Sequence, residues 1–141
     1  MSRIFFDSML FAYVVDNHPI YAPRVKEILK RCSNRHDALF TSFLALGEVL
    51  AGTEQSPDPE KRIAVQETLS GLGFTFLPFD AGAVAPFSIL RARTKVRAPD
   101  AIHLACAASA GMDLFLTGDK YLVKLDVPGI QFIADFTSSV F

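Results

Sequence analysis

Five short apolar runs, each too brief for a helix, punctuate this chain, and helix-like segments fill the intervals between them. They lie at residues 3–7, 38–41, 74–77, 114–117 and 130–133. A short continuous apolar run bounded by turn signals reads as a strand buried on both faces. The segments between carry helix signals. Ser8–Val15 reads as a short helix, and Pro19 sits near the first position of a second, opened by His18-Pro19. That second helix sets Val25, Ile28, Leu29 and Cys32 against Arg24, Lys26, Glu27, Lys30 and Arg31. Thr41 or Ser42 can cap the next helix, which contains Glu48 and which Gly52 helps to end. Residues 59–70 form a charged amphipathic helix. Asp80 can cap another through about Arg93, with Pro86 expected to kink it. Pro99 fits the first turn of a helix that Gly111 ends, and a short turn follows at 120–124. The resulting order, β-α-α-β-α-α-β-α-α-β-α-β, predicts an α/β fold. Its mostly parallel central sheet of about five strands is covered by helices in three layers, α/β/α.

A chain of 141 residues fits one domain, residues 1–141. At that size roughly 68–70% of the unfolded surface can be buried. Half of the residues are apolar and 13 are Phe, which argues against disorder. A formal net charge of −1 offers no global basic field, so any nucleic-acid contact must use a local patch. Cys32 and Cys106 have no metal-ligand spacing and read as small apolar residues of a reduced, cytoplasmic protein. The run after Met1-Ser2-Arg3 ends at Asp7, too soon for a secretion signal. No stretch is apolar for long enough to span a membrane, so no membrane partner is expected.

Against this apolar background four carboxylates stand out. Asp7 ends Arg3-Ile4-Phe5-Phe6. Glu48 is the only charge in Phe43–Ala51. Asp100 opens Ala101-Ile102-His103-Leu104, and Asp119 follows Leu114-Phe115-Leu116-Thr117-Gly118. A buried ionised carboxylate must be paired, bound to metal or protonated. Asp7, Asp100 and Asp119 can each cap a helix or favour its dipole. Glu48 lies mid-helix and cannot cap. Ligand sites in open parallel sheets form at strand carboxyl ends, near a switch in strand order. The predicted elements put all four acids near such an edge. Mg2+ or Mn2+ takes oxygen ligands, and one or two ions can activate water for phosphodiester hydrolysis.

Phe6-Asp7-Ser8, Leu46-Gly47-Glu48-Val49, Ala98–Ala105 and Leu116-Thr117-Gly118-Asp119, in this order and setting, resemble the PIN domain family. The likeness is to its VapC-type ribonuclease toxins and runs along almost the whole chain. It implies an α/β/α fold, Mg2+- or Mn2+-dependent endoribonuclease activity and a homodimer. It also implies inhibition by a cognate antitoxin. By motif, the acidic catalytic and metal-binding set is Asp7, Glu48, Asp100 and Asp119, supported by Ser8 and Thr117. Met9 departs from the family, which often has a small polar residue there, and leaves local polar support in question.

RNA would need positive charge beside such acids, and Arg91, Arg93, Lys95 and Arg97 supply it just before Asp100. Lys61, Arg62 and Lys120 are weaker candidates. His103 stands one turn after Asp100, and its apolar helix favours a satisfied buried imidazole over a partner of the acids. The alternative to a nuclease is a non-catalytic PIN-like module that uses the acidic crevice for a protein partner. A phosphoaspartyl enzyme ranks lower. Dehalogenase-like phosphatases need an acid where Met9 stands, and receiver domains need an acidic pair where Asp7 stands alone.

Overall fold

The computed structural model describes residues 1–139. Five strands, β1 (Arg3–Phe6), β2 (Ala38–Ser42), β3 (Thr75–Leu77), β4 (Met112–Thr117) and β5 (Ile130–Asp135), form one sheet. Its order is β3-β2-β1-β4-β5 and every pairing is parallel. Seven helices connect them: α1 (Ser8–Val15), α2 (Tyr21–Arg35), α3 (Phe43–Glu54), α4 (Pro59–Gly71), α5 (Ala81–Arg93), α6 (Ala98–Ala110) and α7 (Lys120–Val123).

β1 shows why the apolar runs are continuous. Ile4 and Phe6 enter one core with Leu10, Val25, Ile28 and Leu116, while Phe5 enters another with Leu104 and Phe115. Successive side chains point to opposite faces, so a central strand covered on both sides must be apolar at each position. Phe5 and Phe115, paired in register, stack at 4.8 Å. The chain runs outward from β1 through β2 to β3, then returns to place β4 on the other side of β1. That reversal is the switch in strand order, and it opens between the carboxyl ends of β1 and β4.

The structure moves several boundaries. α2 begins at Tyr21, not at Pro19, because His18 Nδ1 accepts hydrogen bonds from the Ile20 and Tyr21 backbone N–H groups and so does a cap's work. α3 continues past Gly52 to Glu54. α5 runs through Pro86, its sixth residue, which has no N–H to donate to the Gly82 carbonyl, so the helix carries one interior bond fewer there. Gly129, at φ +99°, lies against α6, where an added Cβ would stand 2.4 Å from the Ala108 carbonyl oxygen. Strain and overpacking act together there, so Gly129→Ala should cost about 2–5 kcal/mol. Gly71→Ala, with nothing within 4 Å, is the control. A urea midpoint for Gly129→Ala equal to that of Gly71→Ala would refute this placement.

Candidate active site

Asp7 follows β1 directly and is 2% exposed. It caps α1: its Oδ1 accepts from the Ser8 N–H at 2.8 Å. Its Oδ2 accepts from the Thr117 hydroxyl, also at 2.8 Å. Thr117 is the last residue of β4 and fully buried, and its oxygen accepts in turn from the Asp119 N–H at 3.1 Å. One hydroxyl therefore ties the first acid to the backbone of the fourth. The support given by Ser8 is its backbone N–H. Asp119 caps α7 through the Tyr121 N–H, so capping and membership of the acidic group coexist.

Met9 answers the question its position raised. Its sulfur lies 3.0 Å from the Gly118 N–H and accepts from it, and a Cβ at Gly118 would stand 2.6 Å from that sulfur. The thioether thus packs under the loop that carries Asp119, and only glycine allows the approach.

Glu48 projects from α3, which packs against α1, α4 and α6. Its Oε1 lies 2.7 Å from His103 Nε2, and the other ring nitrogen lies 2.7 Å from Ser42 Oγ. The two readings of His103 are not exclusive: the ring is 1% exposed and is satisfied by the acid itself. Beside Glu48 is a cavity of about 250 Å3 with Lys61, Gln55 and Thr53 in its walls.

Electrostatics link the acids. Burial pushes the Asp7 carboxyl above its ordinary 3.8, against the pull of His103 when charged, of Thr117 and of the Ser8 N–H; Asp100 pushes it further up. Burial also raises Asp100, opposed by Arg97 and, when it is charged, by His103, and reinforced by Asp119 and Glu48. Asp100, in the first turn of α6, is therefore within electrostatic reach of the other three acids. Its cationic neighbour Arg97 stands 3.9 Å away with an 85% exposed side chain, a contact worth little in water.

The basic segment divides its labour. The Arg91 guanidinium donates to the Val96 carbonyl and fastens the α5–α6 connection. The Lys95 N–H donates to the Tyr121 hydroxyl, tying the connection to the helix that follows Asp119. The Arg93 and Lys95 side chains make no ion pair among the described residues.

Among the described residues no three of these acids close into a ready-made cage for a metal ion. The donor set nevertheless fits a hydrated, hard dication. Every candidate ligand is a carboxylate oxygen, the raised Asp7 and Asp100 carboxyls lack a strong counter-charge, and Mg2+ keeps several waters while using one or two carboxylates. No helix among the described residues is long and apolar enough to cross a membrane.

Several solved structures share the fold. VapBC2 from Rickettsia felis, bound to a promoter DNA fragment, aligns at TM-score 0.77 with 13% identity, over 94% of this chain and 98% of that one. DNA-bound VapBC from Salmonella typhimurium aligns at TM-score 0.71 with 23% identity, over 96% and 99%. VapBC-5 from Mycobacterium tuberculosis, of the VapBC family of toxin–antitoxin systems, aligns at TM-score 0.62 with 19% identity, over 94% and 98%. No curated protein sequence matches significantly. The sequence profile of the PIN domain covers residues 4–128, from β1 through the α7–β5 connection, and on that match the chain belongs to the PIN domain family.

Proposed function

We propose that this chain is an Mg2+- or Mn2+-dependent endoribonuclease, the toxin of a toxin–antitoxin pair. In this reading it acts in the cytoplasm, forms a homodimer and is restrained by a cognate antitoxin. One observation carries the catalytic part. A carboxylate is buried at the strand-order switch, held by a neutral hydroxyl and an N–H, and linked through Asp100 to two further acids. PIN domains are generally metal-dependent nucleases. Similarity in fold to chains of VapBC complexes supports the toxin role and the antitoxin partner.

Asp7, Glu48, Asp100 and Asp119 would hold the ion. When bound, it supplies a water of lowered pKa and a counter-charge for the leaving oxygen. The chain's own residues prepare that state. Thr117 and the Ser8 N–H fix both oxygens of Asp7 against rotation. His103 holds one oxygen of Glu48. Arg93, Lys95 and Arg97 offer cations to the RNA backbone, while Arg91 keeps their connection in place. Removing one phosphate-binding cation should lower the salt dependence of single-strand RNA binding, log K against log salt, by about 0.7. Lys95→Ala and Arg93→Ala are each expected to show that drop in catalytically dead protein. An unchanged slope in both would remove this segment from the RNA path.

The test is cleavage of RNA by metal-stripped protein. Activity should return with Mn2+ or Mg2+, vanish with chelator, and be absent in Asp100→Asn of unchanged fold. Failure of the wild type to bind Mn2+ at millimolar concentration would favour the non-catalytic binding module. Co-purification with a small DNA-binding protein encoded beside this gene would support the toxin role.

A further inference from the structure

Ser42, His103 and Glu48 form a continuous hydrogen-bonded chain, and the order of its donors can be deduced. Ser42 caps α3 by accepting from the Ala45 N–H at 2.9 Å, and the residue is 1% exposed. Its hydroxyl carries one hydrogen, and a buried hydroxyl hydrogen needs an acceptor. Among the described residues the only other side-chain partner of Ser42 Oγ is His103 Nδ1, at 2.7 Å. If Nδ1 carried a hydrogen, the Ser42 hydroxyl would point its own at nothing. Ser42 therefore donates and Nδ1 accepts. The ring hydrogen then sits on Nε2, directed at Glu48 Oε1 2.7 Å away.

The consequence falls on Glu48. Its side chain is 39% exposed and has three rotatable bonds, so without a tether it would sample many rotamers. The ring that tethers it is enclosed: buried on α6 one turn from Asp100, with Phe5 at 6.4 Å between ring centres. One oxygen is held, and Oε2 has no hydrogen bond among the described residues. We propose that His103 is a positioning residue: locked by Ser42 as the Nε2–H tautomer, it orients Glu48 so that its second oxygen is presented for an ion. This deepens the metal-site reading of Glu48 and, for its last clause, rests on it. The same serine that starts α3 thus also sets the aim of the acid near the middle of that helix.

Nitrogen-15 spectra of the imidazole in metal-free protein test the tautomer, and side-chain relaxation of Glu48 tests the tether. The expected result is hydrogen on Nε2, with an ordered Glu48 that becomes mobile in His103→Leu and partly recovers in His103→Gln, whose amide can donate. Ser42→Ala, should His103→Leu fail to fold, is expected to let both tautomers appear. Hydrogen on Nδ1, or a Glu48 equally ordered without His103, would overturn the proposal. Mn2+ titration supplies the second arm. Affinity should fall roughly 10–100-fold in His103→Leu, the range typical of losing a partner behind a ligand. It should fall no further when His103→Leu is added to Glu48→Gln. An equal added loss in that background would overturn the link from His103 to the ion through Glu48. A wild type that binds no Mn2+ yet loses Glu48 order in His103→Leu would refute the metal-nuclease reading and support the tether.

Discussion

Asp7→Asn is expected to lower kcat/KM for RNA cleavage by about a hundredfold or more, above the roughly 10–100-fold typical of losing only a partner behind a metal ligand. The metal-free protein should nevertheless melt no lower than its parent at neutral pH. Both expectations have the same origin. The carboxylate is 2% exposed, burial disfavours its charge, and Asp100 adds repulsion. Asparagine keeps the shape, removes the charge and still accepts from the Ser8 N–H. Its amide must face Thr117, whose oxygen already accepts from the Asp119 N–H. That hydroxyl can turn, at a cost no larger than the ~1–3 kcal/mol of an orphaned group. Removing a buried, unpaired charge offsets this. Asp7→Ala behaves differently, because it strands both the Thr117 hydroxyl and the Ser8 N–H and should destabilise. Wild-type cleavage by Asp7→Asn that has been stripped of metal and then reloaded with Mn2+ would sink the assignment. A collapse of its melting temperature would show that Asp7 serves as a helix cap first.

The strands were legible in the sequence because a two-faced sheet demands unbroken apolar runs, as Ile4-Phe5-Phe6 and Phe115-Leu116 show. Their ends were less so. β4 starts two residues earlier than its hydropathy suggests, at Met112-Asp113, because Asp113 is satisfied by accepting from the Arg3 N–H. Asp7 could be located because it ends such a run. Glu48 could be singled out because it lies mid-helix among apolar residues. What could not be read was their connection. Glu48 and His103 are 55 residues apart, and no local pattern announces a bond that exists only when α3 meets α6. The basic segment looked uniform for the same reason. Only the folded geometry turns Arg91 to the Val96 carbonyl and Arg97 toward Asp100. His18 misled in the opposite direction: His-Pro resembles a helix start, but here the imidazole accepts from the Ile20 and Tyr21 N–H groups and the helix begins after it.

The stability of the metal-free chain should fall as pH rises out of the acid range, and Mn2+ should reverse that fall. Asp7 and Asp100 both titrate above 3.8 in the folded state, chiefly because burial penalises their charge. In that window the folded chain holds more protons than the unfolded one, so raising the pH favours unfolding. Their contribution is whole below 3.8 and is lost once the pH has passed the raised folded values. A dication competes with those protons and provides the counter-charge that Arg97 gives only weakly. At a hundredfold excess over its Kd an ion stabilises by about 2.7 kcal/mol, which for a chain of this size raises Tm by roughly 10 °C. The shift should be largest near neutral pH and shrink in acid. In Asp7→Asn both the metal-free pH slope and the Mn2+ shift should diminish together, since one buried charge underlies both. An Mn2+ shift that is the same at every pH, or undiminished in Asp7→Asn, would place the ion away from this carboxylate.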